Sequence, residues 1–479
     1  VDMNDLVLGD VQSTDGVFSL QTGGEISQSG VMIADQLALT AGGDVMLDKN
    51  NEIAGLAVDA TGNTVELTNT VDSEIGSTGP LMGIDAGTVN ISQTSGGLTL
   101  DAGASINTSS GGITITSDML ALGGDLQASG QAINLDASTS GVSRTIGKTG
   151  QGRDFGFGGN IEADTVMLGS TAANDWIVED TFNVDASQFT LRSGADITFN
   201  KGIASTGDIQ LEGTGAANTF SVFETLAGYP ITLSGKGGND VLEVGSVNGL
   251  GDLAAPVTFS ADSGQDTLRL LGLPSGVPDA YTLTDSELVQ NGSSGINFTS
   301  VEAFSFLGGG ADETINFESP MMTVDVSGGL GNDTFRSAFS SFSQTFDGGA
   351  GEDALETDFF GEFLPFGTGI LTRDGFQDIG IAIFENVVIG EEQQAFINSP
   401  FLGSLNNDYN TTTSLFSLFE KRKDLMGKGA EGKQGEWFLY RARPELNLFS
   451  ESLTHASSYQ KQLENEKHFI TLIHNMSRY

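Results

Sequence analysis

The 479-residue chain contains no cysteine, so disulfide staples and thiolate metal sites are excluded. A secreted chain without disulfides suits passage across membranes in an unfolded state, followed by stabilisation through repetition and metal. Basic residues are scarce, 20 Lys+Arg against 63 Asp+Glu, and the net charge of −43 would repel nucleic-acid phosphates. Such a charge favours cations and solubility instead. No apolar run reaches the ~18 residues that a transmembrane helix needs. No secretory signal opens the chain, and Val1 reads as the start of a processed form or a fragment. Only three histidines occur (His455, His468, His474), all near the C-terminus, so the long body has no His or Cys for nucleophilic catalysis or zinc. His468 and His474 lie on different faces of the helix expected there, which speaks against a metal pair.

What is present alternates. Hydrophobic residues make up 38% of the chain, too many and too regularly placed for a disordered polyacid. Short apolar-x-apolar triplets recur: Leu37-Ala38-Leu39, Val45-Met46-Leu47, Val65-Glu66-Leu67, Leu98-Thr99-Leu100, Ile113-Thr114-Ile115, Ile133-Asn134-Leu135. They continue as Ile197-Thr198-Phe199, Ile209-Gln210-Leu211, Ile231-Thr232-Leu233, Val257-Thr258-Phe259 and Leu268-Arg269-Leu270. Each puts two apolar side chains on one face of a strand, and Gly, Asn, Asp and Ser between them supply turns. Strands this short cannot build a core singly. They can when coils stack and each strand pairs with its equivalent in the next coil.

The spacing measures the coil. Ile26, Val45 and Val65 follow Gly-rich turns at intervals of 19 and 20. Asn174, Asn218, Asn239, Gln265, Asp312, Asn332 and Glu352 are spaced 44, 21, 26, 47, 20 and 20, the two long gaps reading as coils that lack the motif. The fold expected is all-β, a right-handed parallel β-helix with coils of about 19–24 residues and a small α-rich C-terminal appendage. About 19 coils at ~4.8 Å each would make a rod of roughly 90 Å.

Two turns carry the most chemistry. Gly328, Gly329, Gly331, Asn332 and Asp333 are followed twenty residues later by Gly348, Gly349, Gly351, Glu352 and Asp353. Glycines turn the backbone and leave carbonyls open, and the acids add hard oxygen ligands, a donor set that suits Ca²⁺. Asn239 with Asp240, Asp262 with Asp266, and Asp312 are weaker versions of the same turn. Asn174-Asp175 lacks most of the glycines. The alternative for all of them is a ladder of Asn and Asp side chains hydrogen-bonded to neighbouring backbone.

The regions divide as follows: β-helix repeats over 1–140, an irregular loop at 141–160, a β-helix with Gly/Asn/Asp turns over 161–355, a Phe-rich closing region at 356–402 and an α-rich basic tail at 403–479. The Phe-rich region (Phe359, Phe360, Phe363, Phe366, Phe376, Phe384, Phe396, Phe401) reads as the closure of an open rod end, or else as a sugar- or partner-binding patch. In the tail, Leu415, Leu418 and Phe419, then Leu453, Leu463, Ile470 and Ile473, have helical spacing. Residues 420–479 hold 10 of the 20 basic and 8 of the 63 acidic residues, a net of +2, against −45 before them. The run Lys421-Arg422-Lys423 is a solvated face or a docking surface for the acidic rod.

The stretch from Gly23 to Thr68, with GGEISQSG, LALTAGGDVML and NEIAGL, resembles the repeats of filamentous-haemagglutinin-like exoproteins, large bacterial adhesins exported by two-partner secretion. By style the likeness runs over residues 1–260. Residues 235–360 resemble hemolysin-type calcium-binding repeats, fully at Gly328–Phe335 and with Glu352 replacing the usual Asn at Gly348–Leu355. That family repeats every nine residues, whereas the interval here is about twenty, so isolated sites between adjacent coils take the place of a full metal ladder. The resemblance implies a secreted or surface-bound adhesin with structural Ca²⁺, an outer-membrane exporter as partner during secretion, and a host or matrix ligand.

Catalysis reads as absent. A polysaccharide-acting β-helix would need paired carboxylates or Ca²⁺ with a basic residue, and only Lys201, Lys236, Arg269 and Arg336 offer themselves as bases. The function expected is therefore a rod-like, Ca²⁺-stabilised structural or adhesive exoprotein. Its alternatives are a self-assembling filament of rods joined end to end and a polysaccharide lyase or glycosidase.

Overall fold

A computed structural model describes residues 4–389, apart from 247, 273–279, 291–292, 294, 319–320, 338–341, 343, 352, 358–367, 372–378 and 383–385. The α-rich tail, Glu352 and all the Phe residues named for the closing region lie outside the described residues. The described chain is nearly all strand, wound into a parallel β-solenoid of about 15 turns, with no helix. At ~4.8 Å per turn the rod is roughly 70 Å long.

Every triplet named above points both apolar side chains inward, at most 1% exposed. Stacked coils then align like on like. Val65, Val89, Ile113, Ile133, Val166, Phe189, Ile209, Ile231, Val257 and Ile296 form one continuous column in parallel register. Burying one such side chain contributes about 1.5–3 kcal/mol, and in the column the methyls of each coil fill the gaps of the next. This column belongs to what we call the third face. A second face carries Val58, Ile84, Ile106, Leu126 and Ile161, and fades after the short strand Ala204–Ser205. The first face runs from Ser73–Ile75 through Gly97–Leu100 and Met119–Leu122 to Gln344–Asp347 and Ile379–Ala382. Uninterrupted steps range from 19 residues (Ile26 to Val45) to 26 (Ile231 to Val257).

The segment 141–160 is not the irregular loop that its composition suggests. It holds two strands, Arg144–Lys148 and Phe155–Phe157. They stack on the first face in inverted order: Met119–Leu122 pairs with Phe155–Phe157, then comes Arg144–Lys148, then Trp176–Val178. The second and third faces bypass this insertion, since residues 126–135 pair directly with 161–168. The glycines here serve close approach rather than looseness. A Cβ on Gly147 would sit 2.5 Å from Asp180 Oδ2, and one on Gly156 3.0 Å from Thr149 Cα. Arg144 is buried and donates to Asp118 Oδ1 at 2.7 Å and to the Asp118 carbonyl at 3.1 Å, tying the inserted strand to the coil beneath.

A second insertion lies on the third face. Val257–Ser260 pairs with Ile296–Thr299, which pairs antiparallel with Glu287–Gln290. That strand pairs antiparallel with Ala280–Leu283, which resumes parallel stacking on Thr314–Phe317. On the first face Thr267–Leu271 meets Ala303–Leu307 directly. These two insertions absorb residues without adding full turns, which is why about 15 turns are formed rather than about 19. Stacking also continues where the rhythm breaks after 356, because Ile379–Ala382 pairs with Gln344–Asp347 and Asn386–Ile389 with Ala354–Thr357.

Candidate functional site

The glycine–acid turns sit at corners of the coil, two residues before an inward apolar side chain. Register sorts them into two columns on different corners. Asn174, Asn218, Asp240, Asp266 and Glu302 precede strands of the first face, with Ala195 filling the one coil that lacks the motif. Glu313, Asp333 and Asp353 precede the strands that follow the second insertion. The 44-residue gap is thus a coil without the motif, as its length suggests. The 47-residue gap is instead a change of corner.

Within each column the side chain reaches back one coil. Asp240 Oδ1 accepts from Asn218 N–H at 2.8 Å, and Asp266 Oδ1 from Asp240 N–H at 2.7 Å. Glu302 Oε2 accepts from Asp266 N–H at 2.8 Å. In the other column Asp333 Oδ1 accepts from Glu313 N–H and Asp353 Oδ1 from Asp333 N–H, both at 2.8 Å. The preceding residue of each turn is exposed and reaches forward: Asn239 Oδ1 accepts from Gln265 N–H at 3.0 Å, and Asp312 Oδ1 from Asn332 N–H at 2.8 Å. Asp262 accepts from Ser234, Ser260 and Lys236 N–H. Burial pushes Asp262 up, but those hydrogen bonds and the Lys236 charge hold it below the usual carboxylate range.

The back-reaching carboxyls of Asp240, Asp266 and Asp333 are fully buried, and Glu313, which accepts from Gly309 N–H of its own turn at 3.4 Å, is nearly so. Each is left with a second oxygen that no donor meets: Asp240 Oδ2, Asp266 Oδ2, Asp333 Oδ2 and Glu313 Oε2. Acceptors converge on two of them. A Cβ on Gly328 would stand 2.3 Å from Asp333 Oδ2 and 2.3 Å from the Gly348 carbonyl of the next coil. At Gly235 the same position is 2.1 Å from Asp240 Oδ2 and 2.9 Å from the Ala261 carbonyl. The first glycine of each turn is therefore the clearance for that turn's own aspartate. Gly331 and Gly351 allow coils to touch, since their Cβ atoms would fall 2.0 Å from the Ala311 carbonyl and 1.4 Å from the Gly331 carbonyl. Gly329 and Gly349 take φ near +90°, which other residues rarely adopt.

The first coils show what the arrangement looks like when complete. Near the N-terminal end, amides occupy the corner between the third and first faces. Asn51 Oδ1 accepts from Met32 N–H at 2.9 Å and Asn69 Oδ1 from Ile53 N–H at 2.8 Å, the same backward reach. Their Nδ2 groups then donate to carbonyls: Asn51 to Thr68 at 3.1 Å and Leu47 at 3.0 Å, Asn69 to Val71 at 2.8 Å. A carboxylate in that role faces a carbonyl with nothing to donate. It needs a proton or a cation.

Both are consistent with the electrostatics. Burial pushes Asp240 up to about 6, the charges of Asp266 and Asp262 adding to it. Burial, together with contact to Asp333, pushes Glu313 up to about 8. Asp266 and Asp333 are also raised, chiefly by burial. At Gly235 and again at Gly328 one carboxylate oxygen and one carbonyl lie close to the glycine, only two of the six to eight oxygens that a Ca²⁺ ion would take. Other carbonyls are engaged, those of Gly309 and Gly329 accepting from Leu330 and Ala350 N–H at 2.8 Å. Among the described residues no group of three or more His, Cys, Asp or Glu is placed to hold a metal.

Sequence reasoning names Asp312 where the buried ligand-type residue is Glu313, and omits Glu302. The signal available is position: both stand two residues before an inward apolar side chain (Ile315 and Phe304), as Asp240 stands before Leu242. The four candidate bases are each paired to a glutamate: Lys201–Glu224 2.6 Å, Lys236–Glu212 3.6 Å, Arg269–Glu243 3.2 Å, Arg336–Glu356 2.6 Å. The bond to Glu224 raises the Lys201 amine, which keeps it protonated.

A family model described as repeats of unknown function (DUF5649) matches residues 1–60. No curated protein and no solved structure matches the chain. The chain is thus a repeat-built β-solenoid.

Proposed function

We propose that this protein is a secreted or cell-surface bacterial exoprotein that acts as a rigid, acidic rod, structural or adhesive in role, whose later coils are stabilised by Ca²⁺. The observation that carries the reading is the parallel stack of about 15 turns, a shape that gives reach and ties each strand to the coils on either side. Ca²⁺ enters through the buried carboxylate oxygens of Asp240, Asp266 and Asp333, with the Ala261 and Gly348 carbonyls beside two of them. The ion would supply the positive charge that the amides of the first coils replace with N–H donors. Extracellular sites of Kd ~10⁻⁴–10⁻³ M suffice for such a role. Export through an outer-membrane exporter and attachment to a host or matrix surface follow from the resemblance of the first coils.

Two experiments test the reading. Electron microscopy of the purified chain should show single rods of roughly 70 Å, and compact particles would refute it. Thermal unfolding should shift upward on adding 1–10 mM Ca²⁺ to chelated protein, since an ion that binds only the folded state stabilises it by mass action. An unchanged transition removes the calcium part and leaves the rod.

A further inference from the structure

Ser19, Ala38 and Ala57 hold one position on three successive coils, where the first face runs into the second. Each lies between two inward apolar residues and so points outward, as Ala57 does between Leu56 and Val58. On the fourth coil this position is filled by a longer excursion. Ile75 stacks on Leu56 and Ile84 on Val58, so residues 76–83 take the place of Ala57. The excursion is closed at its neck, where Gly83 N–H donates to the Gly76 carbonyl at 3.0 Å. The ladder continues through that neck. Gly76 N–H donates to the Leu56 carbonyl at 3.4 Å, and Val58 N–H to the Gly83 carbonyl at 3.0 Å. Beyond it Ser77–Thr78 and Leu81–Met82 pair antiparallel around Gly79-Pro80, with Gly79 at the positive φ of +59° that a tight hairpin loop asks for.

This hairpin folds back over the outside of the coils before it, against the strands Met32–Ala41 and Val45–Asn69. Thr78 is buried, and its hydroxyl donates to Gln36 Oε1 at 3.0 Å, two coils back. The tip reaches one coil further. A Cβ on Gly79 would stand 3.3 Å from Val17 Cγ1, 3.7 Å from Ser19 Oγ and 3.9 Å from Ala38 Cβ. Ala38 and Ala57 are only 2% and 0% exposed although they face outward, and their short side chains let the two layers touch. In a solenoid each coil otherwise contacts only its neighbours, so coils can open one at a time. Here the fourth coil also holds the second and touches the first. Opening the second coil breaks the Thr78 bond and uncovers the hairpin, a cost that a plain ladder would not impose. We propose that the hairpin Ser77–Met82 is a strap that joins these four coils into one cooperative block, which opens and closes as a unit.

The test is hydrogen exchange of the full chain, read on peptides covering 17–22, 32–41, 53–60 and 84–93. In wild type the four should share one opening equilibrium. Replacing residues 76–83 by a single alanine gives the fourth coil the Leu56-Ala57-Val58 arrangement of the third, so the ladder should be kept. Protection at 17–22 and 32–41 should then fall about tenfold relative to 84–93, the scale of one hydrogen bond and its packing, with no change beyond residue 105. Thr78→Val, which removes only the bond to Gln36 and leaves the hairpin in place, should shift the same ratio roughly threefold. Ala38→Gln, too long for the space under the hairpin, should act as the replacement does in wild type. Combined with the replacement it should cost little more, because position 38 then lies on an open sheet surface. Exchange already graded coil by coil in wild type overturns the proposal. So does unchanged protection over 17–41 in both hairpin variants, or an Ala38→Gln cost that is the same with and without the hairpin.

Discussion

Replacing Asp240 by asparagine should stabilise the protein. In the folded chain burial pushes this carboxyl from 3.8 up to about 6, and a tenfold change in proton affinity is worth ~1.4 kcal/mol. The sign follows from the direction. A raised pKa means that the stabilising contribution is complete below 3.8 and is lost as pH rises through about 6. Above that, the ionised form costs the fold ~3 kcal/mol relative to the protonated one. Asparagine keeps the oxygen that accepts from Asn218 N–H and turns the other atom into a donor beside the Ala261 carbonyl. Asp240→Asn should therefore gain ~1–3 kcal/mol at pH 8 in chelator, and nothing at pH 3.5. Because stacked coils open locally, the right assay is hydrogen exchange of peptides covering 218–244 and 257–271, corrected for intrinsic rates. With Ca²⁺ the order should invert, since the amide is the poorer ligand for a hard cation. A variant less protected than wild type at pH 8 in chelator, or a gain that persists at pH 3.5, would refute the reasoning. The mirror change, Asn51→Asp, should destabilise the first coils at pH 8 by ~2–3 kcal/mol, as it removes the donor to Thr68 and Leu47.

Three further outcomes can be checked. Glu313 is raised to about 8, so the coils around it should lose protection as pH rises from 4.5 to 8 in chelator, and Glu313→Gln should flatten that slope. Gly351→Ala puts a Cβ 1.4 Å from the Gly331 carbonyl, so at least ~3 kcal/mol should be lost and the adjoining coils should become the first sites cut by protease. Arg144→Ala leaves Asp118 without its cation and the inserted strand untied. Asp118 is partly exposed, so the expected cost is a screened ~1–3 kcal/mol, read as faster exchange over 144–157 with little change beyond residue 200.

The coil was legible because its signals are local. A triplet such as Ile113-Thr114-Ile115 gives the strand, and the interval from one triplet to the next gives the turn of the solenoid. The insertions were not legible, because their partners are remote. Nothing near Arg144 says that its strand will lie above Phe155–Phe157, and the glycines that look like a loop are there for contact with Asp180 and Thr149. The candidate site was half legible. GGxGxD marks the turn, but which acid points inward depends on register, so Asn332 and Asp333 were read together while Glu313 went unseen behind Asp312. The meaning of Asn51 and Asn69 was hidden for the same reason. Only their stacking against the backbone of the previous coil shows that they make the bond that the aspartates make later.

That comparison assigns the two halves of the rod different conditions for stability. One corner geometry is met near the N-terminal end by amides, which carry donor and acceptor together and satisfy both neighbours at any pH. After residue 218 it is met by carboxyls, which carry two acceptors and must borrow a proton or a cation. The later coils also hold most of the aromatic core, with Phe317–Phe346 at 5.3 Å and Phe335–Phe346 at 5.9 Å, and such packing rewards only coils already closed. Coils beyond 218 should therefore assemble late and depend on the medium, whereas the amide coils should form without help. Exchange measured along the chain in chelator at pH 8 should show protection falling past residue 218, with Ca²⁺ or acid restoring it there and leaving residues 26–135 unchanged. Equal protection throughout, or a Ca²⁺ effect centred on the amide coils, would mean that the carboxyl columns are satisfied by some other means.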